Sequence, residues 1–138
     1  MKLIFCLDDR NGMMFNRRRQ SQDRELRKRI LETLDGKTLV ASPYSAKQFV
    51  EGGNILISEN PQKEAHGNVY FVEDLPFSLE GVKEITVYRW NRHYPSDVKF
   101  TVDLTSNGFI LDTVYEFQGN SHEKITEEKY KKGEDVLC

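Results

Sequence analysis

In the first half of the chain the apolar residues come in short unbroken runs between turn signals. From residue 82 onward they alternate with polar ones. Residues 2–8, KLIFCLD, form the first run and end at Asp8-Asp9, which predicts a buried strand. Asn11-Gly12 signals a turn, and Met13-Met14-Phe15 after it is expected as an exposed or half-exposed apolar loop. Leu26, Ile30, Leu31 and Leu34 recur at helical spacing, so 22–34 is expected as an amphipathic helix. Gly36 sits where a helix C-terminus favours positive φ. Residues 38–41 read as a short strand. Ser42-Pro43 then has the chemistry of a helix start, a hydroxyl cap and a proline at the first helical position. That helix is expected to run to about Val50 and stop at Gly52-Gly53. Residues 55–58 and 69–72 follow as strands, punctuated by Asn60-Pro61 and Gly67-Asn68.

The alternating half predicts strands over 84–91 and 97–104, flanking a turn at Tyr94-Pro95-Ser96. Asn107-Gly108 is a hairpin signal, with 109–118 as the returning strand. Residues 121–132 fit a helix by composition or a final edge strand by position. Alternating β and α followed by antiparallel β predicts an α/β fold: a mixed sheet with helices on its faces and antiparallel C-terminal strands. The expected organisation is a single domain over 1–132 with a flexible tail at 133–138.

Composition changes this picture little. A chain of 138 residues is long enough for one hydrophobic core. No apolar run is long enough to span a bilayer. The N-terminal run is too short for a signal peptide and meets two aspartates at once, so the expected location is cytoplasmic. Cys6 and Cys138 match no zinc or disulfide spacing.

Charge changes it more. The net charge of −2 hides a basic block at 17–29, RRRQSQDRELRKR, with seven basic residues and two acidic ones. The block is therefore +5 and the rest of the chain −7. Arg17, Arg18 and Arg19 precede the helix, and Arg24, Arg27 and Lys28 continue on its solvent side. Guanidinium groups beside a helix start suit an anionic ligand, although a solvated helix face with Glu25 and Arg29 at i,i+4 accounts for part of the run. The second candidate is VYRWNRHYPSD, 87–97. On a strand, Tyr88, Trp90 and Arg92 share one face and Arg89, Asn91 and His93 the other. Stacking aromatics beside arginine would suit single-stranded nucleic acid or a flat heterocycle. Packing of Tyr88 and Trp90 under a helix is the favoured reading, which leaves Arg89, Trp90, Arg92 and His93 as candidate contacts. Asp8-Asp9 is expected as a turn acid rather than a cation site. Ser121-His122-Glu123 sets a nucleophile type beside a base, but sequence neighbours rarely form a catalytic dyad.

Two resemblances add to this. The order of elements resembles dihydrofolate reductase. KLIFCLDDRNGM looks like that family's first strand and active-site loop, QDRELRKRI like its first helix, KTLVASPYSAKQF like its second strand and cofactor-phosphate helix, GNILIS like its next strand, and VKEITVYRWNRHYPSDVKF like its late strand pair. The resemblance implies a role for Asp23 as the acid that binds a pterin, the only catalytic candidate here; a capping acid at the helix N-terminus, where the dipole favours it, is the favoured reading. The same comparison finds Phe15-Asn16-Arg17 where the family has Pro-Trp, Ser42-Pro43 where it has Gly-Arg, and no Gly-Gly turn and helix for a nicotinamide cofactor between Val72 and the late strands. A glycine turn at a helix start is what cradles a pyrophosphate, so no cofactor is expected and NADPH binding is disfavoured. The stretches LDDRNGMMFNRRRQSQDR, YRWNRHYPSD and GNSHEKIT are similar to a family of small Firmicute proteins commonly labelled ribonuclease Z, which implies a nuclease. That enzyme uses an HxHxDH cluster for two zinc ions, whereas His66, His93 and His122 are isolated here, and no metal site is expected.

The leading expectation is a non-reductase cytosolic protein that binds an anionic ligand, RNA or a nucleotide-like small molecule, in a groove between the first helix and Met13–Phe15. The alternatives are an enzyme, as an NADPH/pterin reductase using Asp23 or as a nuclease, and a homodimeric interaction module built on the late strands.

Overall fold

The computed structural model of the protein describes residues 1–133; positions 134–138 of the expected tail, Cys138 included, lie outside the described residues. Its elements are β1 (Lys2–Leu7), β2 (Gly12–Phe15), β3 (Arg18–Arg19), α1 (Arg24–Glu32), β4 (Leu39–Ala41), α2 (Pro43–Ala46), β5 (Ile55–Ile57), α3 (Pro61–Glu64), β6 (Val69–Phe71), β7 (Glu84–Arg89), β8 (Val98–Lys99), β9 (Phe109–Phe117) and β10 (Ile125–Lys132). Seven strands form one sheet in the order β5-β4-β6-β1-β7-β10-β9. The first five run parallel, and β10 runs against both β7 and β9. The expected mixed sheet with antiparallel C-terminal strands is what forms. A second, three-stranded sheet, β3-β2-β8, packs Met13 and Met14 against the main sheet.

β1 is central because every position of Leu3, Ile4, Phe5 and Leu7 can be buried on one face or the other. Leu3, Phe5 and Leu7 join Val40, Tyr70, Ile85 and Val87 on one side. Ile4 joins Ala41, Val69, Phe71 and Tyr88 on the other, where α1 lays Leu26 and Ile30. The second face carries the only helix longer than four residues among those described. The first face is covered by Met13, Met14, Val82 and Phe100, with Phe77 and Leu79 from the 72–83 connection. No helix among the described residues is long and apolar enough to cross a membrane.

Several local expectations need correction. Met13 and Met14 are buried within β2, and Phe15 alone is exposed; the segment is held in a ladder between β3 and β8 instead of forming a loop. The Ser42 side chain caps α2 as its sequence indicates, accepting from the Ser45 N–H at 3.2 Å. α2 nevertheless stops at Ala46 rather than near Val50. Residues 97–104 do not make a full strand: only Val98 and Lys99 pair, with β2, because the Phe100 N–H bonds back to the Asn11 carbonyl at 2.8 Å. The turn before Phe109 is closed by its N–H on the Leu104 carbonyl at 2.9 Å, and β9 takes β10 as partner. Residues 125–132 are a strand, and an interior one: β9, not β10, is the sheet edge.

Candidate functional site

Two polar centres stand out, one open and one closed. The open one is a cleft of about 490 Å³ at the carboxyl ends of β4 and β6, where open α/β sheets place their ligands. Met14 and Arg17 of the β2–β3 hairpin form one wall, Ser42 and Tyr44 of α2 a second, Glu59 to Lys63 a third, and Glu73 to Pro76 the fourth. Arg19 fixes three of these walls together. Its guanidinium makes a bidentate pair with Glu73 at 3.0 and 3.3 Å, lies 4.4 Å above the Tyr44 ring and donates to the Tyr44 carbonyl at 3.1 Å. Planar, five-donor geometry is what lets one arginine do all three. Asn16 and Arg17 take positive φ, 52° and 60°, as a two-residue hairpin requires. That turn leaves Arg17 exposed at the cleft mouth. Among the described residues neither Arg17 nor Lys63 has a carboxylate partner, and Glu59 and Asp74 have no cationic one. The cleft thus carries unspent charge of both signs.

The closed centre is built on Asp23 and His122, whose side chains are 0% and 2% exposed. Asp23 caps α1, accepting from the Glu25 and Leu26 N–H groups at 2.9 and 3.3 Å. The same carboxylate accepts from the N–H groups of Asn120 and Ser121, both at 2.8 Å, and sits 2.9 Å from His122 Nδ1. Burial alone pushes the Asp23 carboxyl up. The Asn120 N–H, the His122 ring and the Ser121 and Leu26 N–H groups outweigh it and hold the carboxyl far below its usual range. His122 Nε2 meets Ser21 Oγ at 3.1 Å and the Tyr94 hydroxyl at 3.0 Å, and the ring stacks on Trp90 with centroids 4.5 Å apart. Gly119 makes this approach possible: a Cβ there would sit 2.6 Å from Asp23 Oδ2. Every polar atom of the imidazole and the carboxylate is occupied, and none of these residues lines the cleft.

The basic block is divided among separate partners. Arg24 donates to Asn120 at 2.8 Å. Arg27 is bidentate to Glu51, and Arg29 to the buried Glu127 at 2.8 and 2.9 Å. Lys28 and Arg18 are exposed. Only Arg17 and Arg19 of the block reach the cleft region. The groove expected between α1 and residues 13–15 is displaced: Met14 contributes, but α2 supplies the facing wall. Of the second candidate group, Tyr88 and Trp90 pack beneath α1, as the favoured reading had it. β7 ends at Arg89, so the alternation of faces does not extend to Arg92 and His93. Arg89 pairs with Glu128 at 3.2 Å, Arg92 donates to the Ser121 carbonyl, and His93 is exposed. Asp8 is a turn acid, accepting from the N–H groups of Gly12, Arg10 and Tyr94 and from Gln20.

Sequence reasoning missed three participants. Tyr44 and Glu73 carry no motif, and their relation to Arg19 depends on the parallel crossovers. His122 keeps its sequence neighbour Ser121, whose Oγ lies 3.2 Å from Nδ1, but its closest partner there is Asp23 at 2.9 Å, 99 positions away, and Glu123 takes no part. A lone histidine followed by an apolar strand start, Ile125, was the one signal available.

A dihydrofolate reductase from Enterococcus faecalis, solved in complex with NADP(H) and RAB-propyl, is similar in structure over 94% of this chain and 94% of its own, with a TM-score of 0.64 and 10% sequence identity. The chain has the dihydrofolate-reductase fold. No protein-family profile matches it, and no curated protein does, so neither comparison supports the ribonuclease Z label.

Proposed function

We propose that this is a non-reductase cytosolic protein that binds a nucleotide-like small molecule in the cleft at the carboxyl ends of β4 and β6. The observation that carries the proposal is the set of unspent charges in its lining: Arg17 on the hairpin wall, Glu59 and Lys63 on the 59–63 wall and Asp74 on the 73–76 wall. An anionic group would take the cations, by charge-assisted hydrogen bonds. The amino edge of a heterocycle would take the carboxylates, beside the Tyr44 and Tyr70 side chains.

Small molecule is favoured over RNA. A strand-binding surface needs a continuous basic track, and Arg24, Arg27 and Arg29 are spent on Asn120, Glu51 and Glu127. Non-reductase is favoured because Asp23 is turned from the cleft with its oxygens saturated. A carboxylate held far below its usual range does not deliver protons near neutral pH. The neighbour's NADP(H) keeps a nicotinamide cofactor among the ligands to test. Here, however, the 72–81 connection has neither a Gly-Gly turn nor a helix, the pair that cradles a dinucleotide's pyrophosphate in such folds.

The test is a thermal-shift and calorimetric panel of nucleoside mono- and diphosphates, NADPH, a folate and a short RNA. Stabilisation by a nucleotide, through mass action, with about tenfold weaker binding in Arg17→Ala, is the expected result. Stabilisation by NADPH or folate that survives Arg17→Ala would restore the reductase reading. Binding of RNA alone, falling steeply with salt, would move the site to the α1 surface.

A further inference from the structure

We infer that β9 is the interface of a homodimer, in which two copies join edge to edge and antiparallel into one continuous sheet. β9 is nine residues long, FILDTVYEF, and forms one edge of the main sheet. Its inner side pairs with β10 from Phe109 to Phe117. Among the described residues no other backbone hydrogen bond reaches positions 110–117. Ile110, Leu111, Val114 and Tyr115 are 48, 48, 53 and 49% exposed, and they lie on both faces of the sheet, so apolar surface flanks the open edge above and below.

Protected edge strands are short, or carry lysine, proline or inward-pointing charge. β9 has no lysine, arginine or proline. Its two acids are neutralised from within: Asp112 by Lys131 at 3.4 Å and Glu116 by Lys124 at 3.0 Å. Its one irregularity is a bulge at Asp112, opposite Lys129 and Tyr130, which leaves 113–117 as a regular run. The opposite edge follows the usual pattern: β5 has three residues.

The occupant is a second copy because the regular run is self-complementary. A two-fold axis through Tyr115 sets Tyr115 against its own copy, Val114 against Glu116 and Thr113 against Phe117. No acid then faces an acid, and aromatic and β-branched residues meet across the join. A β9-to-β5 join would be heterologous and would give a ring or a filament rather than a two-fold dimer, and β5, with three residues, is shorter than the regular run of 113–117.

Sedimentation equilibrium over a wide concentration range tests this first, with twice the 16.1 kDa chain mass expected. Val114→Glu sets an acid opposite the partner's Glu116 on each side of the axis without touching the core; like charges directly opposite are destabilising, so it should raise the dimer dissociation constant by about tenfold or more. Tyr115→Cys in a Cys138→Ser background should form a disulfide-linked dimer on mild oxidation, since facing Cα atoms in an antiparallel pair lie within disulfide reach; Ile57→Cys on the opposite edge should not. In the unmodified chain, hydrogen-exchange protection of outward-facing amides within 113–117 should rise with concentration, a readout independent of any variant's folding. A chain that sediments at 16.1 kDa throughout, a Val114→Glu dimer as tight as the parent, or cross-linking of Ile57→Cys as readily as Tyr115→Cys would each overturn the inference.

Discussion

The cleft and the Asp23–His122 centre are both polar and opposite in character. In the closed centre each donor finds an acceptor, and the group most expected to do chemistry, Asp23, is consumed in holding 20–23 and 119–123 together. In the cleft, Arg19 and Gln62 play that structural part, Arg19 on Tyr44 and Glu73 and Gln62 on the Ser78 backbone. Arg17, Lys63, Glu59 and Asp74 are left facing an open volume. Unspent charge, not the presence of titratable residues, separates a binding site from a structural knot. Buried carboxylates with saturated hydrogen bonds are costly to disturb and chemically quiet.

The contrast can be broken most forcefully at Asp23. Asp23→Ala strips the acceptor from a helix cap and a buried loop at once and should cost about 3–5 kcal/mol, since it removes the cap and leaves the Asn120 and Ser121 N–H groups without an acceptor at about 1–3 kcal/mol each. Asp74→Ala, at an exposed cleft position, should stay within about 0.5 kcal/mol. Denaturant melts of the two variants decide it, and similar losses would erase the distinction.

Gly119→Ala is a milder probe of the same knot. The added methyl meets Asp23 Oδ2 and Ile125 Cδ1 inside 3 Å, and overpacking of this kind costs about 1–3 kcal/mol. A variant as stable as the parent would show the closed centre to be loose.

Acid sharpens the comparison further. The folded-state carboxyl of Asp23 is held far below that of the unfolded chain, which titrates near about pH 4. Its contribution to stability is therefore present above about pH 4 and is lost as pH falls toward the folded value. Asp8 and Glu127, also lowered, act in the same direction. The slope of stability against pH below about 4 should flatten in Asp23→Asn; an unchanged slope would mean that the carboxylate is not held as described. The smallest expected effect on stability belongs to Arg17→Ala, within about 0.5 kcal/mol, even though it should weaken ligand binding about tenfold.

Much of the scaffold was legible because hydrophobic pattern and capping agree with the fold. KLIFCL can only be a strand buried on both faces, and Ser42-Pro43 opens α2 where expected. β10 was not legible. Its inward positions include Glu127 beside Ile125, and a buried glutamate hides the period of two until Arg29 and the Tyr88 hydroxyl, 2.9 Å away, are seen to pair with it. The cleft was half legible: the basic block flagged Arg17 and Arg19, but local charge cannot say which arginines fold onto Glu51, Glu127 or Glu73. Asp23 was legible as a cap, and its histidine partner was not, since the contact spans nearly the whole chain.

The central claim, that ligand chemistry resides in the cleft and not at the closed centre, is most directly tested by titrating a nucleoside diphosphate into isotope-labelled protein and following backbone amide shifts. Perturbations centred on 17, 44, 63 and 74, with 21, 94 and 122 unmoved, are the predicted result. Perturbations centred on Ser21, Tyr94 and His122, or on the Arg24, Arg27 and Lys28 surface of α1, would contradict it.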